Sequence, residues 1–147
     1  MYFWADDGIH GLELWKSDGT EAGTVLVKDI WPEASPNSYE GYLYQLTDVG
    51  GLLYFVASDG IHGRELWKSD GTEAGTIMVK DILLGRSHSL PMMLTAAGRT
   101  VYFSALDGAH GREPWKSDGT AAGTVMLKNI MPGWQSSRPM GFLIAPA

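Results

Sequence analysis

Short apolar and aromatic runs punctuate this chain, each bounded by Asp-Gly or Gly turns, and no stretch holds a helical period for three turns. Leu52 to Ala57 is one such run, Glu65 to Lys68 a second and Thr76 to Ile82 a third. A fourth kind precedes them, seen at Tyr42 to Thr47, again at Met92 to Ala96 and again at Met140 to Ala145. The runs are apolar on both sides and do not strictly alternate, which is the pattern of strands covered on both faces. The elements predicted are therefore β-strands joined by tight turns.

The strands recur as a unit. Tyr2 to Ile30 reads YFWADDGIHGLELWKSDGTEAGTVLVKDI, Tyr54 to Ile82 reads YFVASDGIHGRELWKSDGTEAGTIMVKDI, and Tyr102 to Ile130 reads YFSALDGAHGREPWKSDGTAAGTVMLKNI. Trp15, Trp67 and Trp115 mark a period of about 50 residues, the length of a propeller blade. Four strands, lettered A to D with A the Tyr42 to Thr47 type, make one antiparallel blade. A lone blade would expose both faces to water, and stacking blades around a ring removes that exposure. The expected fold is all-β, a β-propeller with three four-stranded blades in a single repeat domain spanning 1–147.

The repeat resembles the bacterial ELWxxDGT family. Glu13-Leu14-Trp15-Lys16-Ser17-Asp18-Gly19-Thr20 and Glu65-Leu66-Trp67-Lys68-Ser69-Asp70-Gly71-Thr72 carry the motif, and the third copy departs from it at Pro114. The resemblance implies a propeller-like repeat from larger, often surface-associated proteins, an extracellular or cell-surface parent, and no known reaction. Pro114 has no N–H to donate, so pairing in the third blade is expected to be less regular.

The ends are permuted. Residues 1–30 supply strands B to D of a blade, 41–82 and 91–130 supply two further blades, and 139–147 supply a strand A without its blade. Three blades are too few to close a ring, since propellers typically have about four to eight. The expectation is a homodimer in which the terminal strand A of each copy completes the first blade of the other, giving a six-bladed ring.

Composition narrows the picture further. With 19 Gly, 6 Trp and 6 Tyr the chain has an all-β balance of turns and aromatics. There is no cysteine, which excludes disulfides, thiolate metal sites and a cysteine nucleophile. The net charge of −6 is spread along the chain, no basic stripe is present, and nucleic acid is not an expected partner. No apolar run reaches the length of a membrane span, so a membrane partner is not expected either. Met1 to Asp6 lacks the basic start and apolar stretch of a signal peptide.

Candidate chemistry lies in the turns and loops. Ser-Asp-Gly-Thr-x-x-Gly-Thr joins strands C and D in every copy. Asp18, Gly19 and Thr20, with Asp70, Gly71 and Thr72 and with Asp118, Gly119 and Thr120, read as a structural turn resembling the Asp-box of sialidase-type propellers. Asp-Gly-x-His-Gly joins strands B and C and sets His10, His62 and His110 around one face, where they are candidate ligand contacts. Metal is not expected, because ligands repeated once per blade do not converge on a point. The connections from strand D to strand A add Trp31, Tyr39, Arg86, His88, Trp134 and Arg138, aromatics beside polar groups as a sugar or small-molecule site requires. Glu13, Glu65 and Glu113 begin strand C beside Arg64 and Arg112 and read as structural ion pairs.

The reading favoured by the sequence is a non-enzymatic propeller scaffold or binding module, needing no cofactor and assembled from two chains. A lectin-like propeller is the first alternative. A glycoside hydrolase or lyase using loop carboxylates such as Glu33 and Glu40 is another, and an engineered or reconstructed propeller fragment without a selected ligand a third.

Overall fold

A computed structural model describes residues 1–32 and 44–145. These residues contain no helix and eleven strands. β1 (Tyr2–Asp6), β2 (Leu12–Lys16) and β3 (Val25–Lys28) form the first sheet. β4 (Tyr44–Val49), β5 (Leu52–Ala57), β6 (Glu65–Ser69) and β7 (Ile77–Lys80) form the second. β8 (Met92–Ala97), β9 (Thr100–Ala105), β10 (Glu113–Ser117) and β11 (Val125–Met126) form the third. Every pairing is antiparallel between strands consecutive in the chain, so each sheet is a meander.

The sheets stack through both faces of their strands. Phe55 and Ala57 of β5 and Trp67 of β6 pack with Leu14, Val27 and Ile30 of the first sheet. Their neighbours Tyr54 and Leu66 point the other way and join Val79 and Ile82 against Val101, Phe103, Ala105 and Trp115. Successive residues of a strand face opposite sides, so a strand buried on both sides needs an unbroken apolar run. The edge of Trp4 also meets Phe55, with ring centroids 5.4 Å apart.

Strands β4 and β8 lie next to each other, and the Leu94 amide donates to Gln45 Oε1 across 2.9 Å. Each carries a bulge where it meets its partner, between Tyr44 and Thr47 and between Met92 and Thr95. The residues after the first bulge positions, Gln45 and Met93, have φ of 66° and 60°.

Two places depart from the regular repeat, the first as Pro114 leads one to expect. The third sheet's last strand shrinks to two residues, whereas β3 and β7 have four. Leu14 and Leu66 pair with Lys28 and Lys80, but Pro114 has no such partner on β11. The missing donor shortens the ladder; the Pro114 carbonyl still accepts from the Leu127 amide at 2.8 Å. Second, the segment expected as a strand from Met140 to Ala145 pairs with no strand among the described residues. The first sheet, with β1 at its edge, packs against the second sheet.

Candidate functional site

The turns between β1 and β2, β5 and β6, and β9 and β10 share a face with the connections that leave β7 and β11. Gly63 donates its amide to Gly85 O at 2.9 Å, and the Arg64 amide donates to His88 Nδ1 at 2.9 Å. In the third sheet the Arg112 amide meets Ser136 Oγ at 2.8 Å. A Cβ at Gly63 or Gly111 would collide with the backbone of Ser87 or Gln135, so glycine is what lets turn and connection touch.

Each turn histidine is committed to an aspartate of its own turn. His10, His62 and His110 lie with Nδ1 at 2.7, 2.8 and 2.8 Å from Asp7, Asp59 and Asp107 Oδ2. The other carboxylate oxygen accepts backbone amides, those of Ile9 and His10 in the first turn. The His10 amide and then its ring hold Asp7 down at about 2. In return the Asp7 hydrogen bond raises His10, and Asp59 raises His62 in the same way. Among the described residues no three His, Asp or Glu side chains converge to hold a metal. The histidine and aspartate thus close each turn on itself, while the Gly63, Arg64 and Arg112 amides reach the neighbouring connections.

The aspartates of the Asp-Gly-Thr turns likewise bond within their own turn. Asp18 Oδ1 accepts from the Thr20 amide and hydroxyl at 2.9 and 2.7 Å, and Thr20 Oγ1 accepts from the Gly23 amide at 2.9 Å. Asp70 and Asp118 repeat the arrangement. The threonine hydroxyl and amide lower the pKa of all three aspartates.

The strand C glutamates do something the sequence reading missed. Besides standing beside Arg64 and Arg112, their carboxylates clamp the connection that leaves strand D. Glu65 Oε2 accepts the Ile82 amide at 3.0 Å and Ser89 Oγ at 2.6 Å, and Oε1 accepts the Ser89 amide at 3.0 Å. Glu113 repeats this with Ile130 and Ser137, and Glu13 accepts the Trp31 amide at 3.0 Å. Arg112 donates to the Leu90 and Ser104 carbonyls at 2.7 and 3.1 Å. Burial pushes Glu13 and Glu65 up to about 7. At Glu113 burial also raises the pKa, but the Ser137 hydroxyl and the amides of Ile130, Ser137 and Met131 outweigh it and the net shift is downward.

The lysines form a second missed set. Lys16 and Lys68 donate to the carbonyls of Gly71 and Gly119 in the following sheet, both at 2.8 Å. Lys28 and Lys80 reach Thr76 and Thr124 O at 3.1 and 2.9 Å. The clue was available, since the same lysines recur in each copy.

The loop candidates separate into two places. Trp31 and Arg86 line one cavity of about 270 Å³ with Pro32, Asp59, Gly60 and Ile61. The Trp31 ring lies hard against Gly60, so it also fills the gap between sheets. Trp134 and Arg138 line a separate, open depression with Met131, Gln135 and Ser136, and Trp134 is 81% exposed. His88 belongs to neither and accepts the Arg64 amide. Tyr39, with Glu33 and Glu40, lies outside the described residues.

These arrangements are fittings for stacking one sheet on the next, plus one aromatic and arginine cavity able to hold a small polar ligand. No family model, no curated protein and no solved structure matches the chain.

Proposed function

We propose that the chain is a non-enzymatic β-propeller module of the ELWxxDGT-repeat type, in which two copies stack head to tail into a six-bladed ring that serves as a scaffold or binding surface. One observation carries this reading. Val27 and Ile30 are 5% and 4% exposed, and Val79 and Ile82 are 6% and 7%, because the next sheet covers them. Their counterparts in the third sheet, Leu127 and Ile130, are 46% and 55% exposed.

The complementary face is open as well. Phe55 and Phe103 are fully buried, and Phe3 in the first sheet is half-buried. The Tyr2 hydroxyl lies against Gly71 and the Tyr54 hydroxyl against Gly119, while nothing lies within 4 Å of the matching point on Gly19. The two open faces are therefore the two halves of a contact that the chain already makes twice. Burying side chains of this size contributes about 1.5–3 kcal/mol each, and the contact is heterologous, closing when the rotation returns to its start. Sedimentation equilibrium tests the reading. Leu127→Asp should convert the assembled species into folded single chains; a variant that sediments like the parent would overturn the proposed contact.

A second reading rests on the Trp31 and Arg86 cavity: a lectin-like module that holds a sugar ring on the indole and its hydroxyls on the guanidinium. Glycan-array binding that Trp31→Ala removes supports it, and a silent array with the parent chain removes it.

A further inference from the structure

Building on the proposed self-assembly, we infer that residues 139–145 are the inner strand of a fourth sheet and add to the free edge of β1 in a second copy, with Leu143 opposite Tyr2 and Met140 opposite Trp4.

The connection that leads into this segment already follows the course of the one that leads into β8. Ser89 is clamped on Glu65 by amide and hydroxyl at 3.0 and 2.6 Å, and Ser137 is clamped on Glu113 at 3.2 and 2.6 Å. Both serines stand three residues before a methionine preceded by proline, at Pro91-Met92 and Pro139-Met140. The residue between serine and proline has the same left-handed backbone in each case, with φ of 46° at Leu90 and 51° at Arg138.

The segment itself carries the backbone of an inner strand. β4 and β8 turn through their bulges at Gln45 and Met93, with φ of 66° and 60°. The equivalent residue here is Gly141, with φ of 67°. The left-handed residue of the bulge is thus present although no strand among the described residues pairs with the segment, and glycine adopts it without the strain that Gln45 and Met93 bear. Met140 and Leu143 stand 77% and 86% exposed.

What the segment lacks is an edge, and β1 offers one. The second and third sheets run in the order inner strand first, β4 beside β5 and β8 beside β9. The first sheet begins at β1, and β1 pairs with β2 alone among the described residues. Thr95 faces Tyr102 and Met92 faces Ser104 in the third sheet. Carried to the first sheet, that register sets Leu143 against Tyr2 and Met140 against Trp4. An extended segment that adds to an open edge gains main-chain hydrogen bonds, and its register is fixed by which side chains face the core.

The chain has no cysteine, so introduced pairs report the register without background. Chains carrying Tyr2→Cys, mixed with chains carrying Leu143→Cys and mildly oxidised, should give a covalent dimer on a non-reducing gel. Tyr2→Cys mixed with Phe142→Cys should not, because a one-residue shift turns the side chain to the other face. Gly141→Pro, whose φ cannot become positive, should weaken assembly at least tenfold by dilution. Equal cross-linking of both mixtures overturns the register. A parent assembly that persists with no cross-link and no Gly141→Pro effect overturns the strand addition and leaves stacked self-assembly standing. A parent that is monomeric overturns both.

Discussion

The second and third sheets are built from nearly the same sequence and live in different surroundings. The second has a sheet on each side, and the third has one on a single side. Val79 and Ile82 are buried while Leu127 and Ile130 are exposed, Tyr54 is buried while Tyr102 is half-exposed, and Lys68 and Lys80 bond the next sheet. Their equivalents, Lys116 and Lys128, are exposed and have no such acceptor among the described residues. The repeat encodes a two-faced slab, and burial depends on whether a neighbour is present.

The sharpest way to break the comparison is to place a charge at equivalent positions. Val79→Asp buries an uncompensated carboxylate between sheets and should cost several kcal/mol of folding stability, about 3 or more, whatever the protein concentration. Leu127→Asp should leave the single chain folded and cost only assembly, so that its melting temperature no longer depends on concentration. Thermal melts across a hundredfold concentration range separate the two.

Acidity sharpens it next. Glu13 and Glu65 titrate near 7 when folded, against an ordinary 4.5. Between those values the folded chain holds protons that the unfolded chain has released. Their contribution is therefore full below pH 4.5 and lost as the pH rises to about 7, on the order of 3 kcal/mol per group at most. His10 and His62, raised by their aspartates, add to the same fall as pH rises through their folded values. The lowered aspartates act at the other end, losing their contribution as the pH drops below about 4. Stability should thus peak between about pH 4 and 4.5, and urea melts from pH 3 to 8 should show Glu65→Gln flattening the fall above it. Glu113, covered on one side, should titrate low in the single chain and rise on assembly, which carboxyl NMR would follow.

Lysine substitutions have a smaller effect. Lys68→Ala removes a charged hydrogen bond inside the chain and should cost about 1.5 kcal/mol of folding stability. Lys116→Ala should leave single-chain stability unchanged and weaken assembly about tenfold. The smallest contrast is between glycines. Gly19→Ala and Gly71→Ala each strain a left-handed residue, at φ of 99° and 88°, costing about 1–2 kcal/mol. Gly71→Ala also meets the Tyr2 hydroxyl, so it should melt the lower of the two when the chains are single.

Much of the fold was legible because it was written three times. The strand runs and the Asp-Gly turns recur with little change, and Pro114 announced its shortened ladder through chemistry alone. The glutamate clamp was not legible. Its partners are backbone amides 17 and 24 residues away, and an amide leaves no mark in the sequence, whereas an adjacent arginine suggests an ion pair. The lysines were hidden for a similar reason, since their acceptors are carbonyls and a lysine on a strand reads as solvent-facing. The histidines read as candidate ligand contacts because they recur on one face; the aspartate three residues before each one was the visible sign of a closed turn. Among the loop candidates, Trp31 with Arg86 and Trp134 with Arg138 come together in space through connections of unlike sequence, which no period could foretell.

The central claim is that the open faces belong to one contact between copies. The absolute mass by light scattering on a sizing column tests it most directly. The chain is 16.0 kDa, and the account predicts a single sharp species at twice that mass. A stable, folded species at 16.0 kDa would contradict it.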